Sequence, residues 1–330
     1  MKTRVLGIDV SSETFHVALQ AENGWIDCSF ANSRAGFTKL GRWLKRNGAE
    51  HVTACVEASG NYWVAVASWL HEHGHNVHRA NPLSVHRFIE SDLERTKTDK
   101  QDARHIGAYL VSRLALPGAA LRLWEPPSDV ENQLRSLSRR LEELIASRTA
   151  TLNRSQDPGV DRDTASSYRR ELNYLDREIK WVEAKIDRLI EKHDDLRESR
   201  ELMETIPGIG PATSRLVLAE LGDCQQFDSS SQLVAFVGLC PQERQSGTSV
   251  RGSNATTRYG HRRIKRALYL PALTALRHDP GCKALRERHQ AKGKKPMKTV
   301  VAVMHRLLRT IYGVLKNRTP YDPMRALNSA

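Results

Sequence analysis

No stretch of this 330-residue sequence approaches the ~20 consecutive apolar residues that a membrane-spanning helix needs, so helical membrane proteins are excluded and no membrane partner is expected. Cysteine is sparse as well. Cys28, Cys55, Cys224, Cys240 and Cys282 lie far apart and form no CxxC pair, which removes disulfide scaffolds and cysteine zinc sites and leaves reduced thiols of a cytosolic protein. The N-terminus MKTRVLGIDV enters a predicted strand with no signal-peptide pattern. Acid is in deficit: 38 Asp and Glu face 51 Lys and Arg, a formal charge of +13. Such an excess favours polyanions, because neutralising phosphates releases counterions. The length sets a prior of about two or three domains.

Against this basic background four acids occupy telling places. Asp9 ends the apolar run VLGIDV, Glu57 ends HVTACVE, and Asp99 and Asp102 stand three apart in TKTDKQDAR. If the last segment is helical, Asp99 and Asp102 share a face. Crowded carboxylates repel one another, and a hard divalent cation, Mg²⁺ or alternatively Mn²⁺, is the natural neutraliser of an all-oxygen set. A structural reading of the same residues also exists: Asp9 as a strand-end turn residue, Asp99 and Asp102 as a solvated first turn suited to the helix dipole.

The elements around these acids predict a ribonuclease H-like sheet. Strands are expected at VLGIDV and FHVALQ, joined as a hairpin, and at CSFAN. A helix at FTKLGRWLKR, a strand ending at Glu57, a helix from Tyr62 to His73 and a strand at HNVHRAN follow. That architecture brings strand-end and helix acids together from distant parts of the chain. His71, His73, His75 and His78 cluster in HEHGHNVH but match no zinc spacing, and they read as exposed helix-end histidines.

WEPPSD marks a boundary near Pro126. Beyond it Val130, Leu134, Leu137, Leu141 and Leu144, and then Leu172, Leu175, Ile179, Val182, Ile186 and Leu189, keep a three-four apolar spacing around QDPGVDRD, the seam of a helical coiled-coil linker. The two helices fit an antiparallel hairpin within one chain or pairing with a second chain, the latter favoured. An ordinary helical bundle is the plainer alternative. The expected organisation is an α/β domain over residues 1–125, the linker over 126–200 and a mainly α C-terminal domain over 201–330.

In ETIPGIGPATS, Gly208 and Gly210 fit the turn of a helix-hairpin-helix module whose amides face a phosphate, or merely a turn between helices. A Ser, Thr and Gly-rich loop after Pro241 carries Arg244, Arg251 and Arg258, and Arg262 and Arg263 crowd the helix start that follows it. Guanidinium groups pair with phosphates through charge-assisted hydrogen bonds. Ser246 and Ser249 are candidate nucleophiles, although loop serines are commonly turn formers. LRERHQAKGKKPMK reads as a basic turn region, KTVVAVMHRLLRTIYGVLK as an amphipathic helix, and the tail past Pro320 as loosely ordered.

The spans VLGIDVSSETF, CVEASGNYW, RTKTDKQDAR, IPGIGPATS and QSGTSVRGSNATTRYGHRRIKRALY together resemble, in order and across nearly the whole chain, the DEDD transposases of the insertion-sequence-110 family, relatives of the Piv DNA invertases. The resemblance implies a RuvC-like domain whose acidic tetrad is Asp9, Glu57, Asp99 and Asp102, and a serine nucleophile at Ser246 rather than Ser249. Arg258 stands where relatives often carry lysine, which keeps the charge but not a lysine's chemistry. The resemblance further implies a bacterial or archaeal, cytoplasmic and nucleoid-associated recombinase. It would be a homo-oligomer, dimer or tetramer, that cuts and rejoins DNA through a phosphoserine and is guided by a noncoding bridge RNA. The rival expectations are a metal-dependent junction nuclease, a site-specific DNA invertase and a non-enzymatic nucleic-acid scaffold.

Overall fold

The computed structural model describes residues 4–91, 99–116, 122–222, 224–242, 245–246, 250–251, 255–256 and 260–323. The chain divides into two compact units, Met1–Pro127 and Ser128–Ala330.

The first unit is built on strands β1 (Arg4–Val10), β2 (Thr14–Ala21), β3 (Gly24–Ala31), β4 (Val52–Glu57) and β5 (Asn76–Ala80), with helices α1 (Arg34–Arg46), α2 (Trp63–Glu72), α3 (Pro82–Ser91) and α4 (Asp99–Ala115). The sheet order is β3-β2-β1-β4-β5. The first three strands run antiparallel as a meander, and β4 and β5 join parallel to β1. This is the ribonuclease H-like topology that the order of predicted elements implies. The third strand is longer than the expected CSFAN: it starts at Gly24, because Ala21 pairs with Gly24 across a two-residue turn and Gly24 takes φ +119° there. Ser33 caps α1 by accepting from the Gly36 amide at 3.3 Å.

Alternation along the strands sends successive side chains to opposite faces. Leu6, Ile8, Val17 and Leu19 pack with Phe37, Leu40, Leu44, Val66 and Leu70 of α1 and α2. Val5 and Cys55 pack on the other face with Val85 of α3 and Ile106 and Leu110 of α4.

The second unit is helical: α5 (Asp129–Ser155), α6 (Arg162–Glu191), α7 (Asp194–Glu204), α8 (Pro211–Leu221), α9 (Ser230–Val237), α10 (Arg262–Ala267), α11 (Tyr269–His278), α12 (Pro280–Ala291) and α13 (Pro296–Asn317). Ser128 and Glu131 form a reciprocal capping box that starts α5. Asp161 caps α6 by accepting from the amides of Asp163 and Thr164 at 2.8 and 3.0 Å. The apolar stripes of α5 and α6 are covered within the chain, where Leu134, Leu144, Leu175, Val182 and Ile186 join one core with Val303, Leu307, Leu308 and Ile311 of α13. A second chain meeting these helices would have to use other faces, such as the one carrying exposed Tyr174 and Trp181.

Three sequence expectations need correction here. The segment LRERHQA is not a turn but the last part of α12, which Asp279 caps by accepting from the Cys282 amide at 2.7 Å. The start of the tail is docked at Tyr321, whose amide donates to Thr205 Oγ1 at 2.9 Å and whose hydroxyl donates to Asp279, while residues 324–330 of the expected loose tail lie outside the described residues. The serine-bearing segment is a nested ribbon rather than an open loop. Its outer strands β6 (Pro241–Gln242) and β9 (Ala255–Thr256) pair with each other, as do its inner strands β7 (Gln245–Ser246) and β8 (Val250–Arg251).

Candidate acidic site and basic ribbon

Asp9 and Glu57 come together through strand register. Ile8 lies beside Val56 in the parallel β1–β4 pair, so Asp9 and Glu57 are the next positions along, at the C-terminal ends of neighbouring strands. Both continue the face of Val5 and Cys55, the face that α4 covers. Glu57 is felt there: burial first, and then the Glu57 charge, push the Cys55 thiol up to about 12.

Helix α4, which packs on this face through Ile106 and Leu110, begins at Asp99 and carries Asp102. Its sheet-facing stripe runs through buried Ala103, Ile106 and Leu110, and Asp102 stands one turn before Ile106 with Asp99 one turn earlier still. Asp102 is half-buried. Of Asp99 only the backbone, at the first position of α4, is described. The helix lies close because β1 carries Gly7 where it crosses. A Cβ on Gly7 would collide with the Ala103 carbonyl oxygen and the Gly107 amide, and a Cβ on Gly107 would meet the Trp25 ring at 2.6 Å. Arg104 clamps α4 to β3, donating from Nε to Asp27 Oδ1 at 2.8 Å and from a second nitrogen to Asp27 Oδ2. This hydrogen-bonded pairing holds the Arg104 guanidinium above its ordinary range.

Sequence reasoning missed Gly7, Asp27 and His16. His16 is the cross-strand partner of Asp9 and therefore shares its face, with Cβ atoms about 5 Å apart in such pairs. The period of FHVALQ together with the hairpin register could have found it. The donor set is all carboxylate, which suits a hard cation. Among the described residues no three His, Cys, Asp or Glu side chains gather closely enough to form a metal cluster. Two histidines of HEHGHNVH are not the exposed helix-end residues expected: His75 and His78 are buried, where His75 accepts from the Val52 amide and His78 Nδ1 meets the Arg122 carbonyl oxygen at 2.8 Å, while His73 stacks on Trp69 with ring centroids 4.0 Å apart.

In the second unit Ser246 lies on β7 opposite Val250, and Arg251 lies on β8 opposite Gln245. Their side chains, and Arg244, Ser249 and Arg258 altogether, fall outside the described residues. The ribbon leads back into the fold at Gly260, which has φ +119°, and His261 donates its amide to the Phe236 carbonyl at 3.2 Å.

Arg262 and Arg263 part company. Arg262 is exposed. Arg263 turns inward, donating to Glu142 at 2.7 Å, to Glu220 and to the Ser138 carbonyl at 3.3 Å, so its donors are engaged by the protein itself. Burial raises the Glu220 carboxyl, but the hydrogen bond from His261 and the charges of Arg263 and Arg139 outweigh it and leave Glu220 below the usual range.

Gly208 and Gly210 join α7 to α8. Gly208 has φ +96° and a Cβ there would sit 2.5 Å from the Pro271 carbonyl oxygen of α11, whereas a Cβ on Gly210 would meet nothing within 4 Å. The turn is thus packed on α11 at one glycine and open at the other.

A ribonuclease H-like sheet tipped with carboxylates, followed by a helical unit bearing a basic ribbon, defines the class. A family model of DEDD transposases of the IS110 type, described as "Transposase", matches residues 6–157, and a second, "Transposase IS116/IS110/IS902 family", matches residues 200–287. The chain belongs to the IS110 family of transposases. It is 31% identical over 327 residues to the pilin gene-inverting protein of Moraxella bovis, covering 98% of each chain. Against the transposase for insertion sequence element IS1111A of Coxiella burnetii it is 26% identical, covering 74% of this chain and 70% of the relative. Among solved structures, T. thermophilus RuvC in complex with a Holliday junction substrate aligns with 14% identity and a TM-score of 0.28, over 37% of this chain and 99% of that one.

Proposed function

We propose that this protein is a DNA recombinase that cuts and rejoins strands through attack by Ser246. The observation that carries the reading is the register that sets Asp9 beside Glu57 on the face where α4 begins with Asp99 and Asp102. Membership in a transposase family, with a gene-inverting relative matched end to end, supports it. Transposition and DNA inversion share this chemistry.

Asp9, Glu57, Asp99 and Asp102 would hold Mg²⁺ or Mn²⁺, which when bound supplies charge to polarise a phosphate and stabilise a departing oxygen. Ser246 Oγ attacks the phosphorus, the O–P bond to serine forms, the bond to the 3′ oxygen breaks, and the 3′ oxygen leaves as a hydroxyl carrying the proton that the serine gave up. A 3′ hydroxyl from another strand then reverses the step and releases the serine. The phosphodiester energy is kept in the phosphoserine, so exchange needs no ATP. Arg251, Arg262 and, in the stretches flanking the ribbon strands, Arg244 and Arg258 are the cations assigned to the phosphates, with Arg263 acting from inside to hold the start of α10. The amide of Gly210 faces a further phosphate. A noncoding bridge RNA would choose the sites, and the work would take place on the nucleoid by a dimer or tetramer. No described helix is long and apolar enough to cross a membrane.

A nicked duplex labelled at the 3′ end of the strand to be cut tests the mechanism. The label should enter a denaturant-resistant protein–DNA band with the wild type and with Ser249→Ala, and not with Ser246→Ala. Free 5′-phosphate ends with no such band, formed equally well by Ser246→Ala, would identify a hydrolytic nuclease instead.

A further inference from the structure

A cleft of about 760 Å³ opens beside the start of α10, where the serine ribbon rejoins the fold. Its size lies within the ~300–1,000 Å³ of small-ligand pockets, enough for a nucleobase with its sugar. Its two halves differ in chemistry. Met297, Val301 and Met304 of α13 and Tyr269 at the head of α11 give an apolar wall, while Arg262, Lys265 and Arg266 of α10 give a cationic one.

The apolar wall is open to water to an unusual degree. Met297 is 56% exposed, Tyr269 38% and Leu270 70%. Among the described residues no ring stacks on Tyr269. An aromatic ring flanked by polarisable thioethers is a surface on which a flat, electron-rich ring gains contact.

The cations sort by what they already hold. Lys265 donates to the Gly238 carbonyl oxygen at 3.1 Å and serves the fold. Arg266 reaches Glu142 at 3.2 Å yet keeps a side chain 76% exposed, and Arg262 is exposed. Arg262 and Arg266 can therefore turn to phosphates at the mouth while a ring lies against the apolar wall inside.

We propose that this cleft takes one unpaired base of the DNA strand being exchanged, laid against Tyr269 and the methionines, with the phosphates on either side held by Arg262 and Arg266. A paired base cannot enter, since both its faces are stacked and its edge is occupied, so the cleft selects strands opened at the crossover. The inference rests on the recombinase reading for the identity of the strand. The cleft sits on the chain only a few residues past β9, so a strand engaged by the ribbon has a short path to it.

The test is equilibrium binding of the full-length protein to one DNA sequence in three forms, single-stranded, duplex with a three-nucleotide gap, and intact duplex, alongside the single-stranded RNA of the same sequence. Tyr269→Ala should weaken binding to the single-stranded and gapped DNA by about 5- to 100-fold, the range that stacking on one aromatic ring contributes per base. Intact duplex should change less than about twofold, and Tyr269→Trp should bind like the wild type. Met297→Gln, which replaces the thioether by a polar amide of similar length at an exposed position of the same wall and adds no charge, should reproduce the selective loss and carries the test should Tyr269→Ala fold poorly. Equal losses on duplex and opened DNA, no loss with either variant, or a loss confined to the RNA would each overturn the proposal. Cleavage by the wild type and by Asp102→Ala is followed on the gapped substrate in parallel. A protein that cuts nothing but shows the selective loss keeps the cleft and abandons the recombinase, and one that cuts without the loss does the reverse.

Discussion

Gly7 of β1 and Ala103 of α4 meet backbone to backbone, with no room for a methyl group between them. That contact fixes how near the head of α4 comes to the end of β1, and so how near Asp102 comes to Asp9. Gly7→Ala must push the helix away, at a cost of about 1–3 kcal/mol for overpacking. Thermal unfolding should register that loss. DNA cleavage, measured well below the new midpoint, should fall by a larger factor than the folded fraction does. Unchanged cleavage together with an unchanged midpoint would remove Gly7 from the account of the site.

The reason Gly7 escaped the sequence reading applies to much of the site. Asp9 and Glu57 are legible as strand ends because each closes a short apolar run, and strand order follows from the sequence of elements. Gly7 in VLGIDV looks like a gap in a strand, and nothing local says that a helix almost a hundred residues later crosses there. Asp27 lies in WIDCSF, a strand only half anticipated, and its partner Arg104 comes from α4, far along the chain. The same limit hides the inward partners of Arg263. Its neighbourhood HRRIKR reads as one basic surface, yet only its place on α10 turns it toward Glu142 and Glu220. A ribbon with strands of two residues has no periodicity to detect, which is why the Ser246 segment reads as loop.

The two glycines of the α7–α8 turn should behave differently. Gly208→Ala places a side chain at φ +96° and against Pro271, so it should lower stability by more than the ~1–2 kcal/mol of a left-handed residue alone. Gly210 has φ −112° and open space around it, so Gly210→Ala should melt like the wild type. If the Gly210 amide faces a phosphate, that variant should nonetheless bind duplex DNA several-fold more weakly. Wild-type affinity in Gly210→Ala would reduce the turn to a purely structural element.

Glu220 gives the second unit an acid-sensitive joint. Burial works against its charge, but His261, Arg263 and Arg139 hold it below the ordinary carboxylate range. A folded-state value below the unfolded ~4.3 means the stabilisation is complete above that unfolded value and is lost as pH falls through the folded one. Glu220→Gln should therefore be less stable than the wild type at pH 7, by about 3 kcal/mol, the lower end for breaking one partner of a buried pair, because Arg263 keeps Glu142. The gap between the two melting curves should narrow steadily below about pH 4. A gap that stays constant from neutral to strongly acidic solution would mean the charge of Glu220 contributes nothing.

Asp102 and Ser246 belong to different units of the chain, and the proposed chemistry needs both at one phosphate. If the active species is an oligomer, the serine of one protomer can serve the acids of another, and two defective chains can complement each other. Asp102→Ala and Ser246→Ala should each be inactive alone in the adduct assay. Mixed in equal amounts they should recover activity, up to roughly a quarter of the wild-type level where random dimers form, half of the assemblies are mixed and each mixed dimer carries one intact site of two. The tagged Ser246-bearing chain, which lacks Asp102, should be the one that carries the DNA. Adduct formation that never appears at any mixing ratio, although the two chains co-purify as mixed oligomers, would assign the serine to its own chain's acids.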